Sequence, residues 1–371
     1  MGKATGFMEF NRKNCNRENP LSRVNHWNEF EVPLTEEERR EQGARCMDCG
    51  VPFCQSGVIL NGMATGCPLH NLIPEWNNLI YLDKWELGLE RLLKTSNFPE
   101  FTSRVCPALC ENACTCGLNG ESVTVKANEK YLIEKGFTEG KIKANPPKIR
   151  TGKKVAIIGS GPSGLASADI LATNKDVIVI GGGDTGTDCV GTAIRQGAKS
   201  VNQFEIMGKP LKSRGKNNPW PEYARVLKID YGQEEYIEMF GHDPRRYLTS
   251  VKEFYGDENG NVKSLKTVDV QLIKGEDGRM NLKEVENSEK IWNADLVLIA
   301  MGFTGVEDYI ANDLGVDLNK RGSIHANDIN YKTSKEKVFV AGDARRGPSL
   351  VVWGITEGRK VALAVDNYLM K

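Results

Sequence analysis

The sequence predicts an α/β protein in which a helical, cysteine-bearing domain precedes a region of alternating strands and helices. Eight of the ten cysteines lie between residues 46 and 116, where apolar side chains recur at helical spacings. Beyond Lys153, short apolar runs alternate with glycine-rich turns and amphipathic stretches. That order predicts a parallel sheet with right-handed crossover connections.

Length and charge limit the classes of function. At 371 residues the chain is long enough for two or more domains. Lysine plus arginine equals aspartate plus glutamate at 49 each, so the net charge is zero, whereas a nucleic-acid binder shows a basic excess. No apolar run approaches the ~20 residues that cross a bilayer, and the N-terminus lacks the apolar core of a signal peptide. We therefore expect a cytoplasmic protein without a nucleic-acid or membrane partner.

The first domain is predicted to be helical. Thr35 and Glu38 form a capping box, and the helix that they open delivers Cys46 and Cys49 at its end. Apolar spacing predicts two more helices, one over 71–93 that is interrupted early by Pro74, and one over 123–133. The Ala-Asn-Pro-Pro stretch at 144–147 is predicted to be a linker.

The cysteine spacing indicates a shared inorganic ligand. The two groups read Cys46-x2-Cys49-x4-Cys54-x12-Cys67-Pro68 and Cys106-Pro107-x2-Cys110-x3-Cys114-x-Cys116, with only Cys15 and Cys189 outside them. Zinc sites usually show two C-x2-C knuckles, whereas only Cys46 and Cys49 form such a knuckle here. Disulfides suit small secreted domains. The Cys-Pro steps are typical of bacterial ferredoxin sequences, so two iron–sulfur clusters are favoured, with zinc and disulfides as the alternatives.

The second region is predicted from apolar runs and their turns. Buried strands are expected at Val155–Ile158, Val177–Ile180, Ser200–Glu205, Ala294–Ala300 and Val338–Ala341; helices at Pro162–Ala172, Thr185–Arg195 and Val351–Leu369; and a turn between strands at Gly256–Gly260.

Two glycine turns carry the pattern of a dinucleotide-binding fingerprint. They are Gly159-Ser-Gly161-Pro-Ser-Gly164 and Gly181-Gly-Gly183-Asp-Thr-Gly186, and each follows a predicted strand and opens a helix. The glycines allow a tight turn and close approach of a pyrophosphate, and the helix N-terminus supplies free N–H groups. If the two strands paired directly, the turns would lie only about 4.8 Å apart, too close for two dinucleotides. The sequence thus predicts a Rossmann-like nucleotide-binding region.

The second fingerprint is the better formed of the two. Glu205 ends the strand that follows it, where an acidic residue suits NAD more than NADP. Arg195, Lys199 or Lys209 could instead meet a 2′-phosphate, so the preference stays open. A third nucleotide signal is Gly342-Asp343 at the end of a predicted strand, for which a plain strand–turn–helix is the alternative.

Six further segments join the glycine turns in a resemblance to a known family. They are Arg45-Cys-Met-Asp-Cys-Gly-Val-Pro-Phe-Cys54, Arg104-Val-Cys-Pro-Ala-Leu-Cys110, Asn218-Pro-Trp-Pro221, Asp243-Pro-Arg-Arg246, Ala300-Met-Gly-Phe303 and Ala341-Gly-Asp-Ala-Arg345. Together they resemble the small (beta) subunit of glutamate synthase and the relatives that share its flavin–iron–sulfur module. The resemblance implies an oxidoreductase that passes electrons from NADPH, or NADH, through FAD and two [4Fe-4S] clusters to a large (alpha) subunit.

The resemblance also implies binding residues by matched position; it leaves the catalytic residues unknown. One cluster would take Cys46, Cys49, Cys54 and Cys114, and the other Cys67, Cys106 and Cys110 with Glu129 as a fourth ligand. Cys116 is either a spare thiol or a substitute for Glu129. FAD would take Gly159, Gly161, Pro162, Gly164, Gly342 and Asp343; NADP(H) would take Gly181, Gly183, Asp184, Thr185, Gly186 and Arg195.

One departure from the family changes the domain prediction. Leu171–Lys175 joins the two fingerprints directly, whereas the family places a long stretch of FAD-binding domain between them. We expect an iron–sulfur domain at 1–148, remnants of an FAD-binding domain at 149–175 and 304–371, and an NAD(P)-binding domain at 176–303. FAD binding should therefore be impaired. A non-catalytic iron–sulfur docking module, and a flavin–cluster reductase with another acceptor, are the alternative functions.

Overall fold

The computed structural model describes residues 2–143, 175–274 and 280–370. The predicted linker, the strand at Val155–Ile158, the helix at Pro162–Ala172 and the first fingerprint all lie outside the described residues. Within the described ranges, no helix is long and apolar enough to cross a membrane.

The first half is helical, as predicted, with two small two-stranded antiparallel sheets. Its elements are α1 (Gly6–Glu9), β1 (Asn16–Arg17), α2 (Pro20–Arg23), β2 (Glu31–Val32), α3 (Glu36–Ala44), β3 (Val58–Leu60), β4 (Met63–Thr65), α4 (Ile73–Tyr81), α5 (Trp85–Leu93), α6 (Pro99–Val105), α7 (Leu109–Asn112) and α8 (Val125–Thr138). The capping box is confirmed: the Thr35 side chain accepts from Glu38 N–H, and the Glu38 carboxylate accepts from Thr35 N–H. Helix α3 then ends two residues before Cys46.

The helix predicted over 71–93 is wrong as a single helix. The chain forms α4 and α5, and the break falls at Asp83, whose φ of 57° lies in the left-handed region. Pro74 does not interrupt the helix, because it occupies the first turn of α4, where its missing N–H has no partner to lose. The helix predicted over 123–133 is confirmed but runs on to Thr138.

A single apolar core fills the first half and includes several of the cysteines. Trp76, Leu92, Leu132 and Ile133 are its most deeply buried members, and Cys46, Cys67 and Cys116 are buried with them. Val352, near the C-terminus of the chain, packs into the same core. The end of the chain therefore returns to the cysteine-bearing half.

The second half alternates strands and helices. Its elements are β5 (Asp176–Ile180), α9 (Asp184–Arg195), β6 (Ser200–Glu205), α10 (Tyr231–Phe240), β7 (Arg245–Tyr247), β8 (Thr249–Gly256), β9 (Val262–Lys274), β10 (Met280–Glu284), β11 (Lys290–Asn293), β12 (Leu296–Ile299), α11 (Asp308–Leu314), α12 (Asp343–Arg346) and α13 (Val351–Leu369). The predictions for β5, α9, β6 and α13, and for the turn between β8 and β9, are confirmed.

The central sheet is parallel, in the order β12-β5-β6-β7. Both neighbours of β5, namely β12 and β6, follow it in the chain. A second sheet is antiparallel, with β8, β10 and β11 all paired to β9. One face of β5 packs on α9 and α10, and the other packs towards β9 and β11.

Two strand predictions need correction. The core strand predicted at Ala294–Ala300 is the shorter β12, which is the outermost of the described strands in its sheet, and its Ile299 is 67% exposed. Val338–Ala341 is not a sheet strand: it makes one isolated bridge, between Lys332 and Phe339, although Val340 is buried. An apolar run indicates burial but does not require strand pairing. Val340 is buried because it packs with Ala311 of α11, and not because its segment is hydrogen-bonded into a sheet.

Candidate iron–sulfur and nucleotide sites

The first predicted cysteine set comes together at one pocket. Cys46, Cys49, Cys54 and Cys114 all line it, and Cys116 joins them. The first three residues lie on the segment that follows α3, while Cys114 follows α7. Side chains from two separated stretches of sequence therefore face one shared space, as a cluster with four thiolate ligands requires.

Burial makes these sulfurs poor free thiolates. All ten cysteines, each within the described residues, are free thiols. Desolvation raises the pKa of Cys46 and of Cys67 to about 12, and that of Cys54 higher still. A cationic iron centre supplies the positive charge that deprotonates such ligands. The donor set therefore fits an iron–sulfur group.

The second predicted set also gathers in one region. Burial is the main cause that raises the pKa of Cys67, Cys106 and Cys110, and the nearby charges of this set raise it further. Glu129 on α8 belongs to the same neighbourhood, because its charge acts on Cys67 and Cys106. Its ligand role stays a prediction.

Glu129 is an unusual carboxyl group for a helix. It is buried, which raises its pKa to about 7. The Thr102 hydroxyl donates to its Oε1 at 2.6 Å. A carboxylate in this position suits a metal-based group, because a positive charge nearby would offset the cost of its burial.

Cys116 lies at the first site, not the second. It lines the same pocket as Cys46, and its thiol donates to the Arg45 carbonyl at 3.6 Å. A hydrogen bond between the two thiols lowers the pKa of Cys114 to about 6 and raises that of Cys116. This placement favours the spare-thiol interpretation over a substitute for Glu129.

The arrangement differs from that of a single-ion site. Within the part of the chain that the structure describes, no three His, Cys, Asp or Glu side chains converge closely enough to hold one metal ion. A zinc ion needs four ligand atoms about 2.0–2.3 Å away. The cysteine ligands of a four-iron cluster reach separate corners of a larger group.

The second fingerprint forms an open backbone cradle. Gly181 has φ 132°, and a methyl group on it would overlap the Ala300 carbonyl. A methyl group on Gly186 would overlap the Gly181 carbonyl, whereas Gly183 has nothing within 4 Å. Among the described residues no side chain caps α9, so the N–H groups of Asp184, Thr185 and Gly186 at its start are free for a phosphate. The residues present therefore fit a nicotinamide dinucleotide.

A buried amide network beneath this turn escaped the sequence analysis. Gln203 Nε2 donates to the Gly181 carbonyl at 2.9 Å. Gln233 Nε2 donates to Gln203 Oε1 at 3.1 Å and to Thr187 Oγ1 at 2.9 Å. The capping box of Asp230 and Gln233 at the start of α10 was the available sequence signal.

The charged residues near the turn divide into two groups. Glu205 stands against the turn, since its carboxylate fills the space where a Gly182 side chain would lie, and its Oε1 accepts from Met207 N–H at 2.7 Å. Nucleotide binding by Arg195 stays a prediction, and the position of its side chain does not favour it. Arg195 lies at the far end of α9, and its buried side chain donates to Glu235 at 2.7 Å.

The third nucleotide signal is a rigid turn. Gly342 has φ 65°, and its N–H donates to Glu357 Oε2 at 2.9 Å. Arg345 Nε and Arg346 Nη1 also donate to Glu357, at 3.0 and 2.8 Å. Glu357 is 2% exposed and comes from α13, so only the tertiary fold could reveal it. The FAD assignment of Gly342 and Asp343 stays a prediction.

Two family models match the two halves. The dihydropyrimidine dehydrogenase domain II, 4Fe-4S cluster family matches residues 23–141, which contain both cysteine sets. The pyridine nucleotide-disulphide oxidoreductase family matches residues 169–358, which contain the second fingerprint. Over 488 residues, covering 100% of this chain and 99% of the relative, the sequence is 39% identical to the glutamate synthase [NADPH] small chain of Bacillus subtilis. This chain belongs to the glutamate synthase small-chain family.

The chain is also similar to a longer yeast protein and, more distantly, to solved structures. The glutamate synthase [NADH] of Saccharomyces cerevisiae is 37% identical over 99% of this chain, which spans 22% of that longer protein. Among solved structures, thioredoxin reductase from T. acidophilum is 24% identical, with a TM-score of 0.39 over 56% of this chain and 57% of the other. The 488-residue alignment with the Bacillus relative is longer than this 371-residue member of the family. The relative therefore has residues without a counterpart here.

Proposed function

We propose that this glutamate synthase small chain binds a nicotinamide nucleotide at Gly181–Gly186 and passes its electrons to iron–sulfur clusters held by the two cysteine sets. The convergence of the Cys46 segment with Cys114 on one pocket is the observation that carries the proposal. The clusters would supply one-electron transfer, while the protein supplies burial, orientation and ligands. The electrons would then pass to a large glutamate synthase subunit.

Two clusters are proposed, with the ligand sets given above. Support comes from the two groups of buried sulfurs, one at the pocket of Cys46 and one around Cys67 and Glu129. The charge of Cys54 raises the pKa of Cys110, and that of Cys67 raises the pKa of Cys54, so the two groups are near neighbours. Close clusters suit electron transfer between them.

The nucleotide is proposed to be NADPH, as in the name of the bacterial relative. Glu205 opposes this choice, because its carboxylate at the turn would repel a 2′-phosphate. Lys209 follows β6, and its Nζ lies 5.9 Å from the centroid of the Tyr247 ring. Its positive charge would offset the repulsion between Glu205 and the 2′-phosphate. Titrating the purified protein with NADPH and NADH measures the preference as a ratio of Kd values.

FAD binding is proposed to be weak. The pyridine nucleotide family match begins at residue 169, after the first fingerprint, and the relative carries residues that this chain lacks. A flavin-free iron–sulfur module that docks on the large subunit is therefore the second candidate function. The rigid turn at Gly342 is what remains in favour of a flavin site.

One preparation separates the two candidates. The protein is purified without oxygen, FAD and iron are measured per chain, and NADPH is added while the absorbance is followed. Flavin that is bleached by NADPH supports the electron-transfer subunit. Iron without flavin, and no response to NADPH, supports the docking module; a protein without iron contradicts both.

The large-subunit partner is proposed from the yeast relative, in which the matching region is part of a much longer chain. Mixing this chain with a bacterial large subunit and measuring the mass of the complex tests the proposal. Separate elution of the two proteins would contradict it.

A further inference from the structure

Cys15 is one of the two cysteines that lie outside the stretch 46–116, and it borders a pocket of its own. The pocket has a volume of about 310 Å³ and lies beside α3 and α8. Its lining includes Cys15, Arg39 and Tyr131, together with two lysines, Lys130 and Lys135, and three carboxylates, Glu36, Glu134 and Glu139. Neither the proposed clusters nor the nucleotide uses it.

Arg39 is the unusual group in this pocket. It is 2% exposed, and its guanidinium Nη2 donates to Cys15 Sγ at 3.1 Å. Its Nε and Nη1 are buried without a hydrogen-bond partner. Across the ranges that the structure describes, no carboxylate forms an ion pair with it, although Lys130 pairs with Glu31 at 2.9 Å.

A buried cation without a counter-charge is unfavourable. The Cys15 sulfur is the acceptor that Arg39 reaches, and a negative charge on that sulfur would compensate the guanidinium. A thiolate is the nucleophilic form of cysteine, and reactive cysteines typically lie beside a cation in a partly exposed position. Cys15 is partly exposed and opens on the pocket.

We propose that Cys15 is a thiol-modification site, at which a thiolate held by Arg39 exchanges with a low-molecular-weight disulfide such as glutathione disulfide. The Cys15 sulfur attacks one sulfur of the disulfide, and the new S–S bond forms as the old one breaks. The second half of the reagent leaves as a thiolate and takes up a proton. The exchange needs no other oxidant, and it does not depend on the proposed function.

Cys189 provides an internal control within the same molecule. It is also partly exposed and also lies outside the iron–sulfur sets. Burial raises the pKa of Cys189, and the neighbouring Asp188 carboxylate raises it further. The charged side chain beside the sulfur is therefore a cation, Arg39, at Cys15 and an anion, Asp188, at Cys189.

The test compares the two cysteines in the intact, iron-loaded protein. Brief anaerobic treatment with iodoacetamide is followed by peptide mass spectrometry, and we expect Cys15 to be labelled roughly tenfold faster than Cys189. With glutathione disulfide, the mixed disulfide should form at Cys15. If the unmodified protein is labelled at equal rates at the two cysteines, that result by itself overturns the proposal.

The Arg39→Gln variant isolates the guanidinium. It should slow the labelling of Cys15 several-fold and leave Cys189 unchanged. Arg39→Lys keeps the positive charge, so Cys15 should retain part of its reactivity. This variant provides the test if Arg39→Gln does not fold. An unchanged Cys15 rate in a folded Arg39→Gln protein would also overturn the proposal.

Discussion

At the scale of single residues, the glycines of the second fingerprint have different functions. Gly186 is needed for packing, because a methyl group there would overlap the Gly181 carbonyl and approach Gln203. Gly183 has open space around it and an extended conformation that alanine can adopt. Its lack of a side chain therefore matters for the ligand rather than for the fold.

Two substitutions separate these functions. Gly183→Ala should weaken nucleotide binding about tenfold, roughly 1.4 kcal/mol, while leaving the thermal unfolding temperature unchanged. Gly186→Ala should lower that temperature as well as the affinity, because the turn must move. The measurements are a nucleotide titration and a thermal scan of each variant. A Gly183→Ala protein that binds as tightly as the unmodified one would contradict the placement of the pyrophosphate.

The sequence predicted the residues that belong to local patterns and missed their buried partners. The cysteine sets and the turn at Gly181 follow from spacing along the chain. Gln203 and Glu357 do not, because each is a polar residue whose role comes from a backbone group brought to it by tertiary packing. At Arg195 the sequence offers a cation for the nucleotide, whereas the fold pairs that cation with Glu235.

At the scale of elements, local signals decided which predictions held. Helix α3 has a capping box, and its predicted start is confirmed, while its end at Ala44 lies two residues before Cys46. The division between α4 and α5 at Asp83 has no proline or glycine to announce it. For Val338–Ala341, the apolar pattern predicted burial correctly and pairing incorrectly, since pairing depends on which strands lie beside it.

The capping box of α3 should contribute measurably to stability. Thr35→Ala removes the side chain that accepts from Glu38 N–H and should cost about 1 kcal/mol of unfolding free energy. Glu37→Ala changes an exposed residue in the same turn and should cost much less. Urea unfolding of the iron-free proteins measures both. Equal losses would show that the cap is not what stabilises the helix.

The carboxylate of Glu357 joins α12 to α13, and its effect should depend on pH. Hydrogen bonds and ion pairs with Arg345 and Arg346 outweigh burial and lower the pKa of Glu357. A lowered carboxyl pKa adds stability that is complete above the ordinary value near 4.5 and is lost as the pH falls through the folded-state value.

Glu357→Gln should therefore lower the free energy of unfolding at pH 7 by about 2 kcal/mol. This loss is smaller than the loss expected when a fully buried ion pair is broken, because Arg345 and Arg346 are partly exposed. The difference from the unmodified protein should shrink below about pH 4.5. Glu336→Gln, at an exposed position, is the control. Denaturant unfolding at both pH values measures the effect, and a difference that is constant with pH would contradict it.

At the scale of the whole molecule, a loop of the nucleotide-binding half touches both cysteine-bearing stretches. Trp220 packs on Phe53, next to Cys54, with ring centroids 5.1 Å apart. Asn61 donates to Glu222. The Ala224 N–H donates to the side-chain oxygen of Asn112, in α7, at 3.3 Å. These contacts set the nucleotide-binding half against the proposed clusters, an arrangement that no local pattern could predict.

The central claim is that the two cysteine stretches jointly hold two iron–sulfur clusters, and iron content tests it most directly. The anaerobically purified or reconstituted protein should contain about eight iron atoms per chain, four in each of two clusters. Cys49→Ser should lower that content by roughly half, whereas Cys189→Ser should leave it unchanged. Iron that is absent from the unmodified protein, or that is undiminished in Cys49→Ser, would contradict the account.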